Sequence, residues 1–365
     1  ACHDVDLSHP YRNDGTGFMT EDQSLIATVP LAGNYASVWT DFDNDGDIDL
    51  YIAKCRLGSS PGDVERENAL YVNDGNNNYS GNVIADYGLF DNEQSWVTIF
   101  EDFDNDGDMD TYTVNHTNQN FLRANDGTGN FTDVSAGSGL DLSDIGAWAL
   151  IGADFDNDGF VDMLMEASSS ADLEYWHNDG DFTFTGGSLP FDKGALGDLN
   201  NDGYIDVFTG GTLWMNDGGS NNYLKVDLTG TNSNLDGIGA RVECYSDLGM
   251  QIRESRSGEN FKPMSSLDLF FGLGTDTEVD SVVVRWPSGQ VDVVVSPAIN
   301  TRISILEGLL PALPRLTKVN PYSQEITIKN FGGEPADISG YRLCSEFSCT
   351  NNLSELTLVN GDFNL

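Results

Sequence analysis

Four short stretches place acidic residues at alternate positions around a glycine, a spacing that suits the binding of a hard cation. They are Asp41-Phe42-Asp43-Asn44-Asp45-Gly46-Asp47-Ile48-Asp49, Asp102-Phe103-Asp104-Asn105-Asp106-Gly107-Asp108-Met109-Asp110, Asp154-Phe155-Asp156-Asn157-Asp158-Gly159-Phe160-Val161-Asp162 and Asp198-Leu199-Asn200-Asn201-Asp202-Gly203-Tyr204-Ile205-Asp206. Calcium takes six to eight oxygen ligands, and alternate acidic side chains on a tightly turned loop can converge on one ion. The sixth-position glycine permits the turn. The seventh residue varies among Asp47, Asp108, Phe160 and Tyr204, so its expected ligand is the backbone carbonyl. The ninth is Asp throughout. Without a metal, such packed carboxylates repel one another and raise their own pKa values. The sequence therefore predicts about four Ca2+ ions, with the fourth loop weakest because Asn200 replaces an acidic ligand.

The elements that position these loops are strands. An EF-hand needs a bidentate Glu at position twelve, where this chain has Ile52, Thr113, Met165 and Thr209. The flanks, such as Trp96-Val97-Thr98-Ile99-Phe100 before the second loop and Asp206-Val207-Phe208 at the end of the fourth, alternate or are β-branched. A second signal, Asn-Asp-Gly, recurs at 13–15, 73–75, 125–127, 178–180 and 216–218 and predicts tight turns between strands. Each unit reads as strand, cation loop, strand, connection, outer strand, turn. Such antiparallel units fit β-propeller blades in an all-β fold.

Composition narrows the functional classes. The 365 residues carry 59 Asp and Glu against 17 Lys and Arg, a net charge of −42. That balance repels nucleic acid and anionic membrane surfaces. A chain with 39% hydrophobic residues and 19 Phe is too apolar for an acidic disordered tail. No apolar run reaches the roughly 18 residues of a membrane span, so membrane insertion is not expected. The chain begins Ala1-Cys2-His3, which suggests a signal peptide already removed and a secreted, extracellular or cell-surface location. N-x-S/T sequons at Asn78, Asn115, Asn130 and Asn352 suit such a location. Of five cysteines, Cys344 and Cys349 could close a small disulfide loop and Cys2 could reach Cys55, leaving Cys244 over.

The four loops resemble the VCBS/FG-GAP repeats, calcium-loop propeller blades. Phe131-Thr132-Asp133-Val134-Ser135 followed by the third loop is similar to the cartilage acidic protein-like version. This resemblance covers residues 1–221. Residues 222–308 resemble the ASPIC/UnbV domain through Gly230-Thr231-Asn232-Ser233-Asn234-Leu235-Asp236-Gly237, Arg253-Glu254-Ser255-Arg256-Ser257-Gly258 and Val282-Val283-Val284-Arg285-Trp286-Pro287. Short strands punctuated by glycine turns there imply a β-sandwich-like module, with Arg241 and Arg285 expected to pair with local acids. Residues 309–322, with Pro311, Pro314 and Pro321, read as a stiff linker. Residues 323–365 resemble the opening of a lamin-tail-type immunoglobulin-like domain, through Ala336-Asp337-Ile338-Ser339-Gly340-Tyr341.

Nothing in the sequence assembles a catalytic constellation. The only histidines are His3, His9, His116 and His177, with no H-E-x-x-H and no G-x-S-x-G. The expected function is a calcium-stabilised structural or adhesive protein, not an enzyme, with a protein or glycan ligand. The alternative is a polysaccharide-active enzyme, which would need a carboxylate pair outside the loops converging in a cleft. Four loops against five Asn-Asp-Gly turns leave an unmatched outer strand, and the last module is short of a whole sandwich. Either the chain is a fragment of a longer one, or its open β-edges are completed head-to-tail into a filament, a homopolymer that Cys244 could reinforce.

Overall fold

The computed structural model describes residues 8–26, 33–79, 81–116, 118–144, 146–167, 174–258 and 264–308, and the backbone of five further strands between 314 and 364. A hairpin of β1 (Tyr11–Asn13) and β2 (Met19–Glu21) precedes four antiparallel sheets. The first blade is β3 (Asn34–Thr40), β4 (Asp49–Lys54) and β5 (Ala69–Tyr71). The second is β6 (Ser95–Glu101), β7 (Asp110–Asn115), β8 (Phe121–Asn125) and β9 (Phe131–Asp133). The third is β10 (Ala147–Ala153), β11 (Asp162–Ala167), β12 (Tyr175–Gly180) and β13 (Thr183–Gly187). The fourth is β14 (Ala195–Gly197), β15 (Asp206–Thr209) and β16 (Thr212–Trp214). Strands neighbour one another in chain order, as in propeller blades.

Each acidic loop joins the first two strands of its blade. The ninth-position Asp is the first residue of the second strand and pairs with the residue just before the loop: Thr40 with Asp49, Glu101 with Asp110, Ala153 with Asp162, Gly197 with Asp206. The second-position residue turns inward and packs against the next blade. Phe42 stacks on Phe131 at 6.1 Å and Phe103 meets Phe184 edge-on at 5.6 Å. One apolar core thus runs through the first three blades. In the fourth, the equivalent Leu199 is 57% exposed.

Four of the five Asn-Asp-Gly signals hold as turns, and Gly15, Gly75, Gly127, Gly180 and Gly218 all have positive φ. In the third blade, however, the hairpin reverses two residues later than expected. There Asp181 and Phe182 take φ of 50° and 57°, and Asn178-Asp179-Gly180 belongs to the strand. Two consecutive positive-φ residues match the twist of the flanking strands.

The second domain contains β17 (Asn222–Thr229), β18 (Arg241–Ser246), β19 (Gly249–Glu254), β20 (Leu269–Gly274), β21 (Ser281–Arg285), β22 (Val291–Val295) and β23 (Thr301–Leu306). Sheets ordered β20-β17-β23 and β19-β18-β21-β22 enclose one core, with β17 and β23 parallel. Cys244 lies fully buried in that core and burial pushes its thiol up to about 12, so it is not placed to reinforce a contact between copies. Farther on, β24 (Pro314–Asn320) pairs with β25 (Glu325–Asn330), followed by β26 (Ala336–Asp337), β27 (Thr357–Leu358) and β28 (Gly361–Asn364). Part of the span read as a linker is therefore strand, its Pro314 standing at the first position, where a missing donor is tolerated. Cys2, Cys344, Cys349 and Asn352 lie outside the described residues. Among the described residues no helix is long and apolar enough to cross a membrane.

Candidate metal centres

The loops take their shape from two left-handed residues each. The fourth-position Asn44, Asn105, Asn157 and Asn201 have φ of 61°, 59°, 58° and 59°, and the sixth-position glycines have φ between 92° and 105°. Asn tolerates this region and Gly adopts it freely. The tight turn aims backbone N–H groups at the first Asp: Gly46 N donates to Asp41 Oδ2 (3.2 Å), Gly159 N to Asp154 Oδ2 (2.9 Å) and Gly203 N to Asp198 Oδ2 (2.8 Å). The ninth Asp is oriented in the same way by the outer turn. Asn73 N donates to Asp49 Oδ1 (2.8 Å), Asn125 N to Asp110 Oδ1 (2.9 Å), Asn178 N to Asp162 Oδ1 (2.8 Å) and Asn216 N to Asp206 Oδ1 (2.8 Å).

This scaffold gathers carboxylates. Ligand atoms of Asp41, Asp43 and Asp45 lie within 4.8 Å of one another, as do those of Asp102, Asp104 and Asp110, and of Asp154, Asp156 and Asp162. A further group joins Asp156 and Asp158 to His177. Several buried oxygens here have no hydrogen-bond partner: Asp41 Oδ1, Asp43 Oδ1 and Asp49 Oδ2 in the first loop, Asn105 Oδ1 and Asp108 Oδ1 in the second, and Asn157 Oδ1 in the third. Such oxygens are costly unless a cation or a hydrogen-bond donor meets them. Burial, reinforced by neighbouring carboxylates, pushes Asp49 up to about 8 and Asp110 to about 9. Asp41, Asp102 and Asp108 rise to about 7, burial again leading. Hard oxygens with unmet charge fit a divalent cation.

The seventh-position side chains turn toward the outer turn instead of into the loop. A Cβ placed on Gly75 would stand 2.8 Å from Asp47 Oδ2, and one on Gly127 3.2 Å from Asp108 Oδ2. The same approach brings Phe160 against Gly180 (3.3 Å) and Tyr204 against Gly218 (3.6 Å). The Asn-Asp-Gly glycine is needed for this contact as well as for its φ. Sequence reading missed that link, along with the imidazole of His177, which lies 3.1 Å from Asp162 Oδ1. That bond, ahead of the surrounding carboxylates, raises His177 to about 9.

The second domain is seated on the loops. Asp41 N donates to Glu254 Oε1 (3.1 Å) and Ile252 N to Asp102 Oδ2 (3.3 Å). Gly274 N reaches Asn157 O at 2.8 Å. Arg285 pairs locally with Glu243, Nε to Oε1 at 2.6 Å, as expected. Arg241 also pairs with Glu243, Nε to Oε1 at 3.9 Å, and in addition crosses to the blades, bonding Asn44 Oδ1 and donating to Gly107 O (2.7 Å).

The sequons divide by burial. Asn78 and Asn130 are exposed. Asn115 is fully buried, accepting from Ser95 Oγ (2.7 Å) and donating to Gln119 O (2.6 Å), so the folded chain cannot present it as a glycan acceptor.

A row of loop-bearing β-blades with a two-sheet domain across the loops defines a repeat-blade protein with candidate metal centres. Family models agree with this architecture. That for the FG-GAP-like repeat matches residues 41–113 and 102–165, and that for ASPIC and UnbV matches residues 230–309. The chain therefore carries FG-GAP-like repeats followed by an ASPIC/UnbV domain, a combination that suggests an extracellular, adhesion-like or binding protein. No curated protein matches it. One similar solved structure is the crystal structure of BBS1N in complex with ARL6DN, soaked with mercury. It shares 10% identity over 82% of this chain and 89% of that chain, and its TM-score of 0.25 bears on neither fold nor function.

Proposed function

We propose that this chain is a secreted binding protein of the cell surface or extracellular matrix, with calcium ions holding its blade loops in shape and seating its second domain. The observation that carries this is the set of buried, unpartnered carboxylate oxygens in the first loop, Asp41 Oδ1, Asp43 Oδ1 and Asp49 Oδ2. Calcium would neutralise them and would fix the loop whose Asp41 N–H meets Glu254 of the second domain. A ligand that binds only the folded state raises the melting temperature. Addition of millimolar calcium after EGTA treatment is therefore expected to raise it, and unchanged melting would defeat the reading.

The enzyme alternative has one observation in its favour, since Glu101 and Glu254 both border a cavity of about 90 Å³. Arg256 bridges them, Nη1 at 3.1 Å from Glu101 and Nη2 at 2.8 Å from Glu254. A carboxylate pair joined by a guanidinium is held as a structural ion pair, and the space is small for a sugar ring. Turnover on a glycan panel, lost in Glu101→Gln, would restore the alternative. The ligand of the binding protein proposed here is a protein or a glycan.

Self-assembly belongs to the same proposal. Its support is apolar exposure on both the hairpin and the fourth blade: Tyr11, Phe18 and Met19 on one, Leu199, Phe208 and Leu213 on the other. Complementary apolar surfaces in a head-to-tail contact build filaments unless the rotation closes. Negative-stain images showing only isolated particles at every concentration would rule this out.

A further inference from the structure

The fourth loop differs from the others in a way that its sequence only partly announces. Lys225, on β17 of the second domain, places Nζ 2.6 Å from Asp198 Oδ2. The two side chains are 4% and 1% exposed, so the ion pair is shut away from water. Asp198 holds the first position, the counterpart of Asp41, Asp102 and Asp154. The remaining charge is also met from within. Asn200 donates its amide to Asp202 Oδ2 (2.7 Å), and Tyr204 N donates to Asp202 Oδ1 (2.9 Å). Asp206 accepts from Leu199 N (2.9 Å) and Asn216 N (2.8 Å). Asp198 and Asp206 have no buried oxygen without a partner, as at the same positions of the second and third loops, whereas Asp41 and Asp49 of the first loop have one each, so it is the lysine that sets the fourth loop apart.

We propose that Lys225 is the resident cation of the fourth loop, its ammonium taking the place that a metal ion takes in the first three. A dication entering this loop would meet a buried ammonium on its first ligand, and burial leaves that repulsion largely unscreened by salt. Lysine suits the position because its charge is compact and sits at the end of a flexible stem. Its origin on β17 also gives it a second role, since it fastens the ASPIC/UnbV domain to the last blade without metal. The inference rests on the calcium reading of the other loops and changes the expected stoichiometry from four ions to three.

Native mass spectrometry of calcium-loaded protein counts the ions directly. The wild type is expected to hold three, Asp202→Asn also three, and Lys225→Met a fourth, weaker one. Asp43→Asn, in the first loop, should hold two. Four ions on the wild type falling to three in Asp202→Asn would overturn the proposal while leaving the calcium reading intact. So would a folded Lys225→Met that gains nothing. If Lys225→Met does not fold, the Asp202→Asn comparison still decides. A wild type without ions, or an Asp43→Asn protein that matches the wild type, would instead overturn the calcium reading itself.

Discussion

Asn125 of the second blade donates its side-chain amide to the Phe42 carbonyl of the first blade at 2.7 Å, and to its own blade's Met109 carbonyl at 3.1 Å. The arrangement repeats. Asn178 reaches Phe103 O (2.8 Å) and Val161 O (3.1 Å), and Asn216 reaches Phe155 O (2.9 Å) and Ile205 O (3.3 Å). In each of the second, third and fourth blades one amide therefore ties the outer turn, its own acidic loop and the loop of the preceding blade. Removing such a donor leaves two buried acceptors unmet, and each costs about 1–3 kcal/mol. Asn125→Ala should lose roughly 2–4 kcal/mol in denaturant unfolding with calcium present. Asn130→Ala, exposed one turn away, should change stability by less than about 0.5 kcal/mol.

The second loop position offers a comparison within one chain. Phe103 is fully buried against Phe184, so Phe103→Ala should cost about 3–5 kcal/mol. Leu199, at the same repeat position, is 57% exposed, and Leu199→Ala should stay within about 0.5 kcal/mol. Equal losses would show that the fourth blade is covered in solution, for example by another copy.

Protons and calcium should compete. Asp41, Asp49, Asp102 and Asp110 rise to about 7, 8, 7 and 9 in the metal-free fold, mainly through burial. A carboxyl raised above its unfolded value of ~3.9 stabilises the fold fully below that value, and the contribution disappears as pH climbs through the folded pKa. In EGTA the melting temperature should therefore fall between pH 5 and 9. Calcium replaces the protons, so the rise in melting temperature that it causes should be larger at pH 8 than at pH 5.5. Differential scanning fluorimetry at the two pH values reads this, and a larger rise at pH 5.5 would contradict it.

Arg241 joins the second domain to the first two loops through Asn44 and Gly107. Arg241→Met should loosen that seat and speed limited proteolysis between the last blade and the second domain, without unfolding the second domain's own core. Chelation of the wild type should give the same cleavage pattern. Cleavage that ignores both changes would mean that the seat does not depend on the loops.

Intact mass should separate the sequons. Glycan on Asn78 or Asn130 is compatible with their exposure, whereas Asn115 should carry none, and an occupied Asn115 would contradict its buried position.

The acidic loops were legible in the sequence because cation binding demands particular residue types at short, fixed spacing. Asp41 through Asp49 carry their own register. The same holds for the strands, whose apolar or β-branched runs start at the ninth Asp. What was not legible lies between distant parts of the chain. Asn125 reads locally as a turn residue, and its partner is a main-chain carbonyl 83 positions away. Lys225 sits 27 residues from Asp198 in a strand where lysine ordinarily faces water. Arg241 keeps its expected neighbour Glu243 at 3.9 Å and also finds Asn44 across 197 residues. Even Asn115, a correct sequon by pattern, is buried by packing that no local string encodes.

The parallel pairing of β17 with β23 sets a folding order. Leu224 pairs with Thr301 and Thr229 with Leu306, so the sheet that bears Lys225 cannot close until both ends of the domain have met. Blade strands, by contrast, pair with their immediate successors and can form as local hairpins. Long-range closure is slower than local pairing. On a growing chain the blades would thus assemble first, with acidic loops still unseated. During that interval Asp198 would lack its lysine, and the fourth loop would be free to hold a metal ion that the finished protein later expels.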